Sequence, residues 1–340
     1  MNSSDRPYLI CGLGSIGRRH LRNLQALGHK HLVLYRTGKS TLPDDELEGL
    51  PVENDLEAAL ERWQPAAAVI ANPTSLHIPT AIVAAEAGCH LLLEKPISDS
   101  LKGIPRLTKV VDENHLQVLV GFQFRFHPGL QTIYQLLKDG RIGQPLSARV
   151  HWGEYLPGWH PWEDYRESYS ARADLGGGVI LTLCHPFDYL RWFFGEVTGV
   201  SAVIGQAGHL QLEVESRVDA ILSFGQGPMV SVHLNYDQRP PRHDLEIVGS
   251  QGTLRWDNAS GVVRLWTAEQ ESWMEYPIPP DFERNHLFLA EMEHFVDLVN
   301  GAGPSRCSLD DGVKALQIAL AVREAGQSGH KISLDNRPDL

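Results

Sequence analysis

Residues 9–20 read LICGLGSIGRRH. A short apolar run enters a turn with glycines at 12, 14 and 17, and a segment of helical spacing follows. G-x-G-x-x-G alone is weak evidence. A strand before it and a helix after it supply the setting in which the triplet cradles a dinucleotide. Gly12 permits the tight turn, Gly14 leaves room for a pyrophosphate, and Gly17 lets helix pack closely on strand. The helix N-terminus then turns N–H groups and partial positive charge toward phosphates. A glycine-rich turn without ligand is the competing reading.

The rest of the first 122 residues alternates the same two signals. HLVLY, AAAVIA, HLLLE and QVLVGF are short, nearly all-apolar strands, separated by helical stretches such as DLEAALERW and SLHIPTAIVAAEAG. Apolar strands alternating with helices imply a parallel sheet covered on both faces, a doubly wound α/β fold of the Rossmann kind. The pattern changes after Phe122. A helix near 127–139, the strand PLSARVHWGEY, a helix over 177–194 and a series of strands between 197 and 266 follow. Strand spacing near ten residues predicts a large, mostly antiparallel open sheet in an α+β domain. Two helices close the chain near 284–300 and 308–326. The expected division is therefore 1–122 for dinucleotide binding and 123–340 for substrate binding and oligomerisation, as a homodimer or homotetramer through the second sheet.

A dinucleotide fold usually places an acidic residue on the ribose about 20 positions beyond the glycines. Here the second strand ends in LYRTGKS. Arg36 occupies the place of that acid, with Thr37 and Lys39 adding a donor and a charge. Paired donors and positive potential suit a 2′-phosphate. NADP(H) is thus expected over NAD(H), with a solvent-facing Arg36 and a permissive site as the alternative. HLLLEKPIS places Glu94, Lys95 and Pro96 at the carboxyl edge of the sheet, where ligands of such folds lie. Lys95 there can reach a substrate hydroxyl or carbonyl, and Pro96 suits a cis turn.

Net charge is −12, which argues against a nucleic-acid or anionic-membrane partner. No apolar run approaches the ~18 residues of a membrane span. Four scattered cysteines, Cys11, Cys89, Cys184 and Cys307, suggest thiols in a cytoplasmic protein. No paired ligand spacing points to a structural metal.

Six ordered blocks, including CGLGSIGRRHL, NPTSLHIPTAIVAAEAGCHLLLEKPIS and GGGVILTLCHPFDYLRWFFG, resemble the Gfo/Idh/MocA oxidoreductase family across nearly the whole chain. The resemblance implies a Rossmann domain, a C-terminal α/β domain with a broad open sheet, a nicotinamide cofactor and a sugar or polyol substrate. It matches Gly12, Gly14, Ser15, Ile16 and Gly17 to the pyrophosphate turn, and Asn72, Pro73 and His77 to a loop along the cofactor. Glu94 and Lys95 match the motif whose lysine touches cofactor and substrate. Gln123 matches a position near the nicotinamide, and His185 an acid–base histidine. Many members carry an aspartate four residues before that histidine. Leu181 stands there, with Thr182, a further substrate-binding candidate, next, so His185 acts alone or with Asp188.

Candidate substrate groups concentrate in HWGEYLPGWHPWEDYRESYSAR, residues 151–172. Trp159 and His160 offer ring faces suited to sugars. Arg166 and Arg172 suit a carboxylate or phosphate. Arg125 and His127 are further candidates to line the cleft. The combined expectation is a dehydrogenase or reductase of a sugar derivative. A reductase or dihydrodiol dehydrogenase acting on a non-sugar, and a dinucleotide sensor without catalysis, remain the alternatives.

Overall fold

A computed structural model describes residues 6–38 and 42–335. Lys39 therefore lies outside the described residues. The chain forms two compact units. The first takes in the chain up to Gln123 together with residues 283–313; the second takes in 124–282 and residues from 314 onward. The linear division at 122/123 is thus corrected by the return of 283–313 to the first unit.

The first unit opens with β1 (Tyr8–Cys11), α1 (Ser15–Ala26), β2 (Leu32–Tyr35), β3 (Val52–Glu53) and α2 (Leu56–Trp63). It continues with β4 (Ala67–Ile70), α3 (His77–Glu86), β5 (His90–Leu93), α4 (Ile104–Glu113) and β6 (Val118–Val120). All pairings are parallel, in the order β3-β2-β1-β4-β5-β6. The strands β1, β4 and β6 are buried throughout, as a sheet covered on both faces requires. Strand order reverses between β1 and β4, so their carboxyl ends at Cys11 and Ile70 mark the switch point where such folds bind ligands. In α1, Gly17, His20, Leu21 and Leu24 are buried, the i, i+3, i+4, i+7 stripe of a core-facing helix.

The second unit contains α5 (Pro128–Lys138), β7 (Pro145–Tyr155), α6 (Val179–Thr182), α7 (His185–Phe194) and β8 (Gly199–Gly205). Then come β9 (Arg217–Ser223), β10 (Met229–Asn235), β11 (Asp237–Gly249), β12 (Gly252–Asp257), β13 (Val263–Thr267) and β14 (Trp273–Tyr276). The helix α8 (Arg284–Val299) belongs to the first unit, α9 (Leu309–Ser328) spans the division, and β15 (Ile332–Ser333) ends the second sheet. Nine strands run in the order β14-β13-β12-β11-β7-β10-β9-β8-β15. Among the described residues of this sheet, only β7 and β10 pair in parallel. Burial alternates along the strands: on β9, Val218, Ala220 and Leu222 face the core while Arg217, Asp219 and Ile221 face outward.

The single helix expected over 177–194 is two. Pro186 has no N–H to give the Thr182 carbonyl, so the first segment stops at Thr182 and a new helix starts at His185.

Candidate functional site

The glycine turn sits at the switch point. Gly12 has φ +99°, and a Cβ there would stand 2.5 Å from the Asn72 nitrogen. Backbone from the loops after β1 and β4 is therefore in direct contact. A Cβ on Gly17 would stand 2.0 Å from the Gly12 carbonyl oxygen, so α1 seats on the turn only without a side chain. Gly14 differs: a Cβ there meets nothing within 4 Å. It precedes Ser15 and Ile16 at the start of α1, and no side chain among the described residues caps that helix. Two glycines are thus required for packing and one keeps a space open. Asn72 donates from Nδ2 to Thr80 Oγ1 at 2.8 Å, while its buried Oδ1 has no partner among the described residues. These features fit a dinucleotide's diphosphate.

The buried His77 ring bridges two loops. Its Nε2 lies 2.7 Å from the Asn72 carbonyl and its Nδ1 2.9 Å from the Pro96 carbonyl. Burial pushes its pKa below the ordinary histidine value, against the pull of those carbonyls and of Glu94. The loop with Asn72 and Pro73 is thereby tied to the turn with Lys95, whose peptide bond to Pro96 is cis. The His77 ring and the Glu94 carboxylate thus both make contacts inside the first unit. The Glu94 carboxylate turns inward, 2.7 Å from His20 Nε2, and accepts the Lys95 N–H at 3.2 Å.

Beyond β2, Arg36 Nη1 donates to Asp44 Oδ1 at 2.6 Å. Asp44 also lies 3.4 Å from Arg18 Nη2, and the two arginines hold its carboxyl below the usual range, the Arg36 hydrogen bond most strongly. Thr37 is exposed beside it. Arg36 is therefore a paired cation at the edge of the fold.

In the second unit, His185 begins α7 and is buried. Its ring lies edge-on to Phe124 at 4.9 Å and tilted to Trp152 at 5.5 Å. Trp152 stacks on His243 at 4.1 Å and 3°. Burial pushes the His243 pKa well below the ordinary value, which leaves Nε2 able to accept from the Tyr189 hydroxyl at 3.2 Å. Gln123, at the end of the first unit's run, and Arg125 flank Phe124 in a short helical turn, and both are buried. Arg125 Nη2 reaches Asp188 Oδ1 at 2.7 Å. Thr182 and Trp159 both meet Tyr236, the first through its hydroxyl and the second edge-on at 5.7 Å.

The remaining substrate candidates make mostly local contacts, Arg166 also donating from Nη1 to Gln211 Oε1 at 3.2 Å. His160 Nδ1 lies 2.6 Å from Glu163. Arg166 pairs with Asp164 and Arg172 with Asp174, each two residues away, Arg166 exposed and Arg172 half-buried. His127 caps α5: its Nδ1 accepts the Gly129 N–H at 3.0 Å, and burial holds its pKa at about 4.

Comparison with known proteins agrees with this architecture. The sequence profile described as "Oxidoreductase family, NAD-binding Rossmann fold" matches residues 6–122, and that of the "GFO/IDH/MocA C-terminal domain" matches 130–255. The chain belongs to the Gfo/Idh/MocA oxidoreductase family. Among curated relatives of this Gfo/Idh/MocA member, the myo-inositol 2-dehydrogenase of Thermotoga maritima is 26% identical over 96% of this chain and 98% of its own. The 1,5-anhydro-D-fructose reductase of Ensifer adhaerens is 26% identical over 88% and 85%. Among solved structures, levoglucosan dehydrogenase in complex with NADH shares the fold with a TM-score of 0.85, at 19% identity over 98% of this chain and 100% of that one. The WlbA dehydrogenase of Bordetella pertussis, in complex with NADH and UDP-GlcNAcA, gives 0.80 at 22% identity over 98% and 99%.

Three groups of this Gfo/Idh/MocA chain escaped the sequence reading. His20 stands three residues after Gly17, on the same buried helical face, so its inward direction was legible. Asp44 and Glu291 carried no local signal, because their partners Arg36 and Glu94 lie on other elements. No helix among the described residues is long and apolar enough to cross a membrane. The four cysteines are buried thiols.

Proposed function

We propose that the chain is an NADP(H)-preferring dehydrogenase or reductase acting on a hydroxyl or carbonyl of a sugar derivative. The observation that carries this reading is the open space at Gly14 between two glycines that packing requires. In this reading the turn and the N-terminus of α1 bind the diphosphate through backbone N–H groups. The nicotinamide supplies the hydride donor or acceptor when bound. The Lys95 ammonium orients the substrate oxygen and stabilises developing alkoxide charge. His185 takes the hydroxyl proton in oxidation and returns it in reduction. Arg36, with Thr37 and Lys39, holds the 2′-phosphate.

The names of the relatives, an inositol dehydrogenase and an anhydrofructose reductase, support a sugar-like substrate. The outward face of the second sheet mixes exposed Val203, Ile221 and Met229 with charged groups, which suits a second copy of the chain in a homodimer or homotetramer. Calorimetry with NADPH and NADH tests the cofactor reading; no heat with either removes it. In steady-state assays with a polyol and sugar panel, Lys95→Ala and His185→Asn each lower turnover about 100-fold or more. Near-wild-type rates in both variants remove the mechanism.

A further inference from the structure

Glu94, next to Lys95, is one of three ionisable side chains gathered inside the first unit. His20 Nε2 lies 2.7 Å from Glu94 Oε1. Glu291 arrives from α8, and one ligand atom from each of His20, Glu94 and Glu291 falls within 4.8 Å of the others. Glu291 is completely buried, and neither of its oxygens has a hydrogen-bond partner among the described residues. His20 Nδ1 has none either, which suits the tautomer that donates through Nε2.

Two carboxylates this close, shut away from water, do not both ionise. Their surroundings decide which one holds the proton. Glu94 accepts from His20 and from the Lys95 N–H, and Arg19 of α1 and the Lys95 ammonium face it with their charges. Burial alone would raise its pKa; the His20 hydrogen bond and these charges hold it below the ordinary value. Glu291 has no donor, and burial followed by the Glu94 charge pushes its pKa well up, opposed only by Lys95.

We propose that Glu291 is a carboxylic acid that keeps its proton beside the ionised Glu94, and that this buried acid–carboxylate pair, anchored by His20, positions Lys95. The proposal rests on the reading of Lys95 as the group that meets the substrate oxygen. With Glu291 neutral, the pocket carries one negative charge beside one ammonium. An ionised Glu291 would add a second charge that competes with the substrate oxygen for that ammonium. A divalent cation on the same three side chains would require the Glu291 proton and the His20–Glu94 hydrogen bond to be given up. Glu291 is thus a positioning residue reached only through the fold.

The infrared difference spectrum of wild type minus Glu291→Gln at neutral pH tests the proton directly. The expected result is loss of the carbonyl stretch of a protonated carboxylic acid. Its absence overturns the proposal, and so does a stoichiometric divalent metal in the wild type that the variant lacks. For positioning, Glu291→Gln, a neutral isostere, keeps about tenfold more kcat than Glu291→Leu at similar cofactor affinity. Equal kcat in the two variants overturns the positioning role. If the wild type turns over no sugar or polyol, the dehydrogenase reading fails, while the infrared and metal results still decide the acid–carboxylate pair.

Discussion

Arg125 grips Asp188 through two nitrogens, Nη2 at 2.7 Å and Nε at 3.0 and 3.1 Å, with both side chains buried. Three residues after His185, Asp188 stands one helical turn along α7. The pair locks the turn that carries Phe124 to the helix that carries His185. Removing one partner leaves an uncompensated buried charge. Asp188→Ala therefore lowers stability by about 3–5 kcal/mol, and a double change to two apolar residues recovers much of it. Urea denaturation of the single and double variants checks this. A loss under about 1 kcal/mol in the single variant would place the pair with exposed ion pairs instead.

The three glycines separate folding from binding. Gly14→Ala adds a methyl where no atom lies within 4 Å, so its melting temperature stays at the wild-type value. The same methyl faces the space assigned to the diphosphate, and affinity for the preferred dinucleotide drops about tenfold or more. Gly17→Ala drives a methyl into the Gly12 carbonyl and destabilises the fold by about 1–3 kcal/mol or more. Thermal scans with calorimetry distinguish the two. Unchanged binding in a folded Gly14→Ala protein contradicts the assignment.

In the NADP(H) reading proposed above, cofactor choice turns on the Arg36–Asp44 pair. A 2′-phosphate needs the Arg36 guanidinium, and Asp44 competes for it at 2.6 Å. Arg36→Ala removes a charged hydrogen bond of about 1.5–3 kcal/mol, so NADPH affinity falls about 10–100-fold while NADH affinity changes little. Asp44→Asn weakens the competition and tightens NADPH. Dissociation constants for both dinucleotides check the pair of outcomes. Tighter NADH than NADPH binding by the wild type refutes the NADP(H) preference.

What sequence reveals here follows the range of the interaction. Gly12, Gly14 and Gly17 are read locally, because their spacing alone sets the turn, the open space and the helix seat, although the room at Gly12 is also limited by the distant Asn72 backbone. Five strands of the first sheet are read by their apolar runs, whereas β3, one exposed residue and one half-buried, carries no such signal. Pro186 also carried a local signal, the broken helix after Thr182, which overall apolarity masked. Glu291 is the opposite case. It sits nearly 200 positions after Glu94. Only the return of 283–313 to the first unit brings them together. Arg125 is similar: a cation after the crossover reads as a ligand group until the fold supplies Asp188 from 63 positions away.

His127 makes the fold sensitive to acid at a defined place. Its Nδ1 accepts the Gly129 N–H at the start of α5, which requires that nitrogen to be bare. Burial holds the folded pKa at about 4, whereas an unfolded histidine titrates near ~6.5. Between those values the unfolded chain binds a proton that the native chain does not. Stability from this group is therefore full above the unfolded value, falls by about 3 kcal/mol as pH drops toward 4, and levels off below that. His127→Asn keeps a capping acceptor that does not titrate. Its stability curve, from urea midpoints at several pH values between 4 and 7, is accordingly flatter than that of the wild type. Parallel curves for the two proteins would show that His127 takes up its proton in the native state.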